Sequence, residues 1–373
     1  MSGGVDSSVS AYLLQRQGFI VEGVYMRNWD IADEEGECTS DQDWQDVRMV
    51  CDQLKIPCRQ VDFTKEYWVH VFVKMIEDYE SGITPNPDIT CNRKIKFGWF
   101  LDRCLNSIPE RDKSSTWVAT GHYVQNEITD SGRIKLLRGA DSNKDQSYFL
   151  STVPEEKFRN VIFPVGHLLK KEVREIALKA DLIVACKKES MGICFVGKKK
   201  TFSKFLEQYI VSKPGDVKTL DGVVIVKDFG NLGQHNGQFA YTIGQRARIN
   251  DKYKWFVHRR DSKENTLIAV PGSDHPAFFS KGLIAKDWIW SWNEPPEGIR
   301  EGVELLGQVR YRQYPGMLFR FEIFLNINNS CRPDDSYIVE FQEPQWAIAP
   351  GQYVVVWKGD WCLGAGVIHD TID

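Results

Sequence analysis

The 373-residue sequence lacks several features that mark common protein classes. It has no Cys-x-x-Cys pair, the spacing with which zinc ribbons and many iron–sulfur proteins hold their metal. It has no apolar run long enough to span a membrane. It also has no internal repeat and no low-complexity stretch. These absences argue against a thiolate-held metal domain and against an integral membrane protein.

The sequence also lacks an excess of basic residues. Its 47 Lys and Arg residues face 51 Asp and Glu residues, which gives a formal net charge of −4. A contact with nucleic acid would therefore use local basic patches, for which residues 93–96, 187–188 and 198–204 are the candidates. The alternative for each lysine run is a solvated face. The nine cysteines are odd in number and irregularly spaced, so we expect reduced thiols and no disulfide framework.

The run Ser-Gly-Gly-Val-Asp-Ser-Ser at residues 2–8 has the composition of an anion-binding turn. Its two glycines allow the backbone to approach a charged group closely and to adopt positive φ. Successive backbone N–H groups in such a turn form a nest for phosphate. A helix predicted from Ser8 to Gln17 would add its N-terminal dipole. The alternative is a glycine-rich turn in which Asp6 or Ser7 merely caps that helix.

Alternating strands and helices in the first 211 residues predict an α/β domain with a parallel sheet. Strands are expected at 19–26, 59–63 and 116–120, and helices at 41–54, 64–79, 168–180 and 202–211. The anion-binding turn, Met26 and Gly121 would then meet beyond the carboxyl ends of the strands, where such sheets bind ligands. Short β-rich runs follow Pro214, and from about residue 278 regular strands predict a small antiparallel barrel.

Two cysteines lie in polar, loop-like segments. Cys91 follows the proline-stiffened run at 84–88 and would begin a helix that extends to Leu105, where the helix dipole and nearby basic residues favour a thiolate. Cys194 lies between glycines and follows two lysines. The alternatives are a buried small side chain for Cys91 and a strand cysteine for Cys194. Three other cysteines lie on apolar patterns and are expected in the core: Cys51, Cys104 and Cys362.

Two such cysteines together with a nucleotide-binding turn indicate sulfur chemistry driven by ATP. A further polar segment, residues 141–147, lies between an apolar strand and an aromatic pair. Its Lys144, Asp145 and Gln146 would contact phosphate and base edges, or else form a solvated turn.

Nine motifs in this order resemble those of the tRNA-specific 2-thiouridylase family: SGGVDSS, GVYMRNWD, TPNPDITCNRKIKF, ATGHY, KDQSYFLS, FPVGHLLKKEVR, SMGICFVGK, YTIGQR and APGQYVVVWKGD. The resemblance extends from residue 2 to about residue 368. It implies a PP-loop ATP pyrophosphatase domain over 1–211, a central tRNA-binding domain over 212–277 and a β-barrel over 278–373. The variant KKESMGICFVGK resembles the mitochondrial eukaryotic branch more than the bacterial one, which implies a mitochondrial location.

The resemblance implies a reaction in which ATP, bound with Mg²⁺, adenylates the C2 oxygen of the wobble uridine. Sulfur from a cysteine persulfide then replaces that oxygen and gives 2-thiouridine. Cys194 would carry the persulfide received from a sulfur-donor protein. Cys91 would release the sulfur or stabilise the intermediate, and a Cys91–Cys194 disulfide would close the cycle. Asp88 would act as general acid or base beside the uridine.

The remaining site residues are implied by the same resemblance. The residues that bind ATP would be Ser2, Gly3, Gly4, Val5, Asp6, Ser7, Met26 and Gly121. The residues that contact tRNA would be Asn86, Pro87, Asp88, His122, Lys144, Asp145, Gln146, Arg310, Tyr311 and Gln352. Residues 86–88 would contact a base flipped out of its stack, whereas His122 and Gln352 have the alternative of ordinary polar residues at strand ends. The substrates would be the wobble-uridine tRNAs for Lys, Glu and Gln.

One departure from the family concerns a strand that would precede Ser2; we expect that strand, and any transit peptide, upstream of the given sequence. Two other functions stay open. Another PP-loop ATP pyrophosphatase, such as an amidating synthetase, would turn over without thiols. A catalytically inactive homologue would bind tRNA without consuming ATP.

Overall fold

The computed structural model of the protein describes residues 1–29, 39–189, 202–223, 233–247, 253–299, 302–311, 313, 319–325 and 336–372. Cys194 and the SMGICFVGK motif around it lie outside the described residues, as does part of the β-rich run predicted after Pro214.

The described helices are α1 (Val5–Arg16), α2 (Thr39–Leu54), α3 (Thr64–Tyr67), α4 (Val73–Glu80), α5 (Pro87–Cys91), α6 (Leu101–Asn106), α7 (Ser147–Leu150), α8 (Lys170–Lys179) and α9 (Phe202–Leu206). Two π-helical segments, Trp68–Phe72 and Asn92–Phe100, connect α3 with α4 and α5 with α6. Short 3₁₀ turns are formed by Glu110–Ser115, Glu155–Phe158, Gln238–Ala240 and Pro276–Phe278.

The described strands of the first half are β1 (Gly23–Arg27), β2 (Cys58–Asp62), β3 (Val118–Ala119), β4 (Val124–Ile128), β5 (Ile134–Arg138), β6 (Val161–Ile162), β7 (Gly215–Lys218) and β8 (Gln234–His235). Those of the second half are β9 (Trp255–Asp261), β10 (Thr266–Pro271), β11 (Phe279–Trp290), β12 (Val303–Gln308), β13 (Phe319–Leu325), β14 (Tyr337–Trp346), β15 (Tyr353–Lys358) and β16 (Trp361–Ile372).

The N-terminal part has the predicted α/β character. β1 pairs in parallel with β2, and β3 pairs in parallel with β6; among the described residues these are two separate two-stranded sheets. Helices α1, α2 and α8 share a core that includes Val9, Val50 and Val173, all fully buried. The helix predicted at 64–79 is present as α3, a π segment and α4 in succession, whereas α9 is shorter than predicted.

The predicted C-terminal barrel is confirmed. Antiparallel strands pair in the order β11-β14-β13-β12-β15-β16, and β11 also pairs with β16, so these six strands form a closed ring. A smaller sheet in the order β8-β7-β10-β9 precedes the barrel. The run FAYTIGQRARI, which reads as β-rich, is instead a 3₁₀ turn followed by irregular chain as far as it is described.

The hairpin β4–β5 extends the barrel sheet, although the sequence predicts it inside the α/β domain. Leu137 of β5 pairs with Trp361 of β16, and the side chains of both parts fill one core. Trp357 of β15 is fully buried there and donates from Nε1 to Ser147 Oγ at 3.1 Å. Tyr148 of α7 donates to the backbone oxygen of Tyr353 at 3.0 Å. The α/β part and the barrel are therefore joined by a shared apolar core.

Removing Trp357 should therefore destabilise the whole protein. For Trp357→Ala we expect a loss of about 3–5 kcal/mol in the free energy of unfolding, because a large buried side chain leaves a cavity. Urea unfolding followed by tryptophan fluorescence and circular dichroism measures this. The matched control is Trp117→Ala, since Trp117 is 42% exposed; equal losses for the two variants would contradict the shared core.

Candidate active site

The run at residues 2–8 forms the turn that leads into α1. Gly3 has φ of +71°, and a Cβ atom there would lie 2.7 Å from the backbone oxygen of Asp43. α1 begins after Gly4, which has no side chain with which to cap it. The first N–H groups of α1 thus form an anion-binding end. Asp6 and Ser7 lie inside the first turn, so the alternative that either one caps the helix is wrong.

Gly121, which follows β3, lies directly against this turn. A Cβ atom at Gly121 would be 2.8 Å from the backbone nitrogen of Ser7. Nearby, Tyr123 donates from its hydroxyl to Asp6 Oδ1 at 2.7 Å. The predicted convergence of the turn with Gly121 is therefore observed. Met26 of β1 instead packs against the aromatic cluster described below.

Two lysines hold the anion-binding turn in place. Lys170 Nζ donates to Asp6 Oδ1 at 2.6 Å. Lys187 Nζ donates to the Gly3 backbone oxygen at 3.0 Å, to Asp43 at 2.9 Å and to Asp46. Burial lowers the pKa of Lys187, but its hydrogen bonds with Asp46 and Asp43 outweigh burial and raise that pKa above its usual value.

Lys187 is a residue whose role sequence reasoning missed. From its position near Cys194 it reads as a group that favours a thiolate, or as part of a solvated face. The structure instead binds it to the turn at Gly3 and to two carboxylates of α2. The Ser-Gly-Gly motif and a lysine more than 180 positions away carry no shared local pattern, so the pairing depends on the tertiary fold.

The loop at 84–86 begins α5 earlier than the sequence predicts. Asn86 is its N-cap and accepts from the Ile89 N–H at 3.3 Å, and Pro87 takes the first helical position. Both are strong helix-start signals. Cys91 is therefore the last residue of α5, so its predicted place at a helix N-terminus is wrong.

The Cys91 side chain is 3% exposed and lies in an aromatic cluster. The buried members of this cluster include Phe63, Tyr67, Phe72, Phe205 and Phe239. The alternative of a buried small side chain is thus the observed placement of Cys91. A role in catalysis requires that a partner reach it inside this cluster.

Asp88 and His122, both predicted to contact tRNA, share one basic neighbour. Burial raises the pKa of Asp88 above its usual value, and the charge of Lys96 partly offsets that rise. Burial also brings the pKa of His122 well below its usual value, and the charge of Lys96 acts in the same direction. His122 Nδ1 lies 2.9 Å from Thr120 Oγ1, and its ring lies 5.6 Å from that of Phe97. A carboxyl group with a raised pKa and a neutral imidazole are suited to proton transfer near neutral pH.

The barrel contacts the loop at 84–86 directly. Gln352 donates from Nε2 to the backbone oxygens of Thr84 at 2.9 Å and Pro85 at 3.1 Å, and its Oε1 lies 3.5 Å from Asn86 Nδ2. The Thr84 N–H donates to the backbone oxygen of Pro350 at 3.0 Å. Gln352 and Asn86, both predicted for tRNA, are thus brought together, and Gln352 is more than an ordinary polar residue at a strand end.

The central part of the chain contacts the same loop. Arg260 of β9 donates to the hydroxyl of Thr84 and to the backbone oxygen of Tyr241, the latter at 3.2 Å. Burial lowers the pKa of Arg260 to about 10, and the neighbouring Tyr79 raises it slightly, so the guanidinium stays charged at neutral pH. All three parts of the chain therefore meet at Thr84.

Two of the three tRNA residues predicted at 144–146 bind their own surroundings. Asp145 accepts from Arg138 Nε at 3.0 Å and from the hydroxyl of Ser147 at 2.9 Å. Gln146 exchanges two hydrogen bonds of 3.0 Å with the backbone of Tyr123. Both side chains thus have partners within their own part of the protein, and their contact with tRNA stays a prediction. Lys144 donates to Glu189 at 2.7 Å.

Arg310 and Tyr311 follow β12 and contact aromatic rings. The Arg310 guanidinium lies 4.6 Å from the centroid of the Trp346 ring. The Tyr311 ring lies 4.3 Å from that of Phe149 in α7, so the structure places Tyr311 beside the segment that begins at Lys144. Their contact with tRNA stays a prediction.

The three cysteines expected in the core are buried there. Burial is the main cause that raises the pKa of Cys51 to about 12 and the pKa of Cys104 above its usual value. Burial likewise raises the pKa of Cys362. These thiols are unsuited to nucleophilic chemistry.

Replacing Lys96 should shift the titration of both of its neighbours in one direction. In Lys96→Met we expect the pKa of Asp88 to rise further and the pKa of His122 to rise toward its usual value, because one positive charge is removed. NMR titrations of labelled carboxyl and imidazole groups measure both shifts. Lys94→Met, which removes an exposed lysine of the same segment, is the control. Unchanged titrations in Lys96→Met would contradict the electrostatic coupling.

Among the described residues, no group of three or more His, Cys, Asp or Glu side chains is arranged to hold a metal ion. In that same part of the chain no helix has the length and apolar character needed to cross a membrane.

Three family models match successive parts of the chain. They are the tRNA methyl transferase HUP domain over residues 1–198, the tRNA methyl transferase PRC-barrel domain over 203–271 and the aminomethyltransferase beta-barrel domain over 280–368. A tRNA-specific 2-thiouridylase MnmA from Alkaliphilus oremlandii is 43% identical over 377 aligned residues, covering 100% of this chain and 96% of that protein. One from Staphylococcus aureus (strain bovine RF122 / ET3-1) is 43% identical over 374, covering 100% and 94%. The chain belongs to the tRNA-specific 2-thiouridylase MnmA family.

Proposed function

We propose that the protein is an ATP-dependent tRNA sulfurtransferase that converts the wobble uridine to 2-thiouridine. One observation carries this proposal: the central part and the barrel both bind the loop at 84–86, which leads into the helix that contains Asp88. Family membership over the whole chain supports the same activity. An oxygen at C2 of a pyrimidine is a poor leaving group, so the site must activate it first.

The anion-binding turn is suited to the phosphates of ATP. Gly3 and Gly121 leave no room for a Cβ atom, so Asp43 and the first turn of α1 pack closely against them, and the first N–H groups of α1 lie at this point. The HUP-domain match implies ATP use. Ser2, Gly4, Val5 and Ser7 belong to the same turn, and Mg²⁺ would accompany the phosphates and balance their charge. The contact of Met26 with ATP stays a prediction.

Asp88 is the proposed acid or base for the uridine. Asn86 and Pro87 precede it at the start of α5, so a flipped base would meet residues 86–88 on one short rigid segment. The C2 oxygen attacks the α-phosphate of ATP, pyrophosphate leaves, and the adenylated oxygen becomes part of a good leaving group. A raised pKa allows Asp88 to exchange the uridine proton during these steps.

Sulfur transfer requires a persulfide, for which Cys194 is the proposed carrier. The terminal sulfur of Cys194–S–SH attacks C2, and AMP leaves with the former C2 oxygen. The Cys91 thiolate then attacks the Cys194 sulfur, which breaks the S–S bond, leaves the transferred sulfur on C2 and forms a Cys91–Cys194 disulfide. Two electrons from an external thiol would reduce that disulfide, and a sulfur-donor protein would restore the persulfide.

The described residues on either side of Cys194 support this assignment. Glu189, five positions before it, binds Lys144 and Lys170 next to the anion-binding turn. Phe202, eight positions after it, packs against the cluster that contains Cys91. The chain before Cys194 is thus bound next to the anion-binding turn, and the chain after it is bound at the cluster that contains Cys91. The proposed reaction must connect these two parts of the site.

Several finer assignments are proposals. His122, Arg310, Tyr311 and Gln352 would contact tRNA, and phosphate contacts would make the affinity fall as salt rises. The tRNAs for Lys, Glu and Gln are the proposed substrates. A mitochondrial location is proposed from the sequence resemblance alone, since the two relatives described above are bacterial and do not support it.

The cysteine roles can be tested by substitution. We expect Cys91→Ser and Cys194→Ser to lower 2-thiouridine formation to background, because neither serine can carry or release sulfane sulfur. The assay is mass spectrometry of tRNA nucleosides after incubation with ATP, Mg²⁺ and a persulfide donor. The matched control is Cys186→Ser, which removes an exposed thiol and should leave the yield unchanged.

The nucleoside assay, together with measurements of pyrophosphate release and tRNA binding, separates the alternatives. Formation of 2-thiouridine by Cys194→Ser would exclude the persulfide role. An amidating synthetase would release pyrophosphate without thiol dependence and make no 2-thiouridine. Tight tRNA binding by the wild type, with no ATP consumed, would identify an inactive homologue.

A further inference from the structure

Three basic side chains meet at one carboxylate beside the nucleotide-binding turn. Glu189 lies 2.7 Å from Lys144 Nζ, 3.4 Å from Lys170 Nζ and 3.5 Å from Arg174 Nη2. Lys170 and Arg174 are four positions apart on α8, so they project from one face of that helix. Lys144 reaches the same point from the loop before α7.

The neighbouring cations determine the charge state of Glu189. Burial alone would raise the pKa of Glu189, but the hydrogen bond with Lys144 and the charges of Lys170 and Lys144 outweigh burial and lower it to about 2. Glu189 is therefore fully ionised at neutral pH. Its side chain is 30% exposed, and ion pairs of such exposure are individually weak, so another anion can compete for the same cations.

The basic cluster is continuous with the nucleotide-binding turn. Lys170 Nζ also donates to Asp6 Oδ1 at 2.6 Å, and Asp6 lies in the first turn of α1. The backbone N–H of Lys170 donates to Asp141 Oδ2 at 2.9 Å. Asp6 and Glu189 thus bind the Lys170 ammonium, and Asp141 accepts from the backbone of the same residue. Of these, Glu189 is the one that all three cations approach.

We propose that Lys144, Lys170 and Arg174 form a second phosphate subsite of the nucleotide site, in which the Glu189 carboxylate takes the place of a phosphate until ATP displaces it. The inference rests on the proposed ATP site. A triphosphate brings several negative charges where Glu189 brings one, and arginine and lysine donors bind phosphate through strong charge-assisted hydrogen bonds. Because Lys170 also binds Asp6 in the first turn of α1, the cluster adjoins the proposed ATP site, which favours a phosphate of the nucleotide over a phosphate of the RNA backbone.

The test measures nucleotide affinity of the full chain by calorimetry with Mg²⁺-ATP and without tRNA. We expect Glu189→Gln to tighten ATP binding by about fivefold, because the amide no longer competes for the cations. Tripolyphosphate alone, used as a second probe, should bind more tightly by a similar factor. The control is Glu175→Gln on the same helix, whose partner is Lys179 on the exposed face, and it should leave ATP affinity unchanged.

A variant of one of the cations provides a second test if Glu189→Gln folds poorly. Arg174→Gln, which alters a half-exposed side chain, should weaken ATP binding severalfold with an unchanged melting temperature. Unchanged or weaker ATP binding in a folded Glu189→Gln would overturn the inference. So would a gain in tRNA affinity without a gain in ATP affinity, which would assign the cluster to RNA. A wild type that binds no ATP would contradict the proposed function itself.

Discussion

The contact between the barrel turn at 350–352 and the loop at 83–86 is the constraint on which the rest of the site depends. Gly351 adopts φ of +91°, and a Cβ atom there would lie 2.1 Å from Ile83 Cγ2, so the two backbones can meet only with glycine at this position. Gln352 then satisfies the backbone oxygens of Thr84 and Pro85. This fixes Asn86 as the cap of α5, and α5 sets the positions of Asp88 and Cys91.

The barrel is also joined to the α/β part through a shared sheet and a shared core. The hairpin β4–β5 continues the barrel sheet, and Trp357 of the barrel is buried among residues of the α/β part. The α/β part and the barrel therefore fix each other's position. Asp88 and His122 are buried as well, and that burial is the main cause of both pKa shifts.

Local sequence signals predicted much of the fold. The alternation of strands and helices and the regular C-terminal strands predicted the α/β class and the barrel, and the glycines at positions 3, 4 and 121 predicted that the turn before α1 lies against the segment after β3. The start of α5 could also have been predicted, since Asn86 and Pro87 are ordinary helix-start residues. The placement of Cys91 could not be predicted in this way, because its polar neighbours in the sequence differ from the aromatic residues that enclose it in the fold.

Other features had no local signal. Lys187 binds Gly3, and Arg260 binds Thr84, over long sequence separations. The roles of Asp145 and Gln146 within their own loop depend on Arg138 and on the backbone of Tyr123. A polar motif predicts that its residues make specific polar contacts. Whether those contacts are with substrate or within the loop depends on partners that only the tertiary structure provides.

The most direct measurement compares Gly351→Ala with Gly359→Ala. Both glycines have positive φ, but a Cβ atom at Gly359 meets no atom within 4 Å, so this variant reproduces the backbone strain without the clash. The account predicts that Gly351→Ala loses single-turnover thiolation of tRNA while its ATP affinity matches that of Gly359→Ala. Equal thiolation rates in the two variants would contradict the claim that the barrel positions the loop at 83–86.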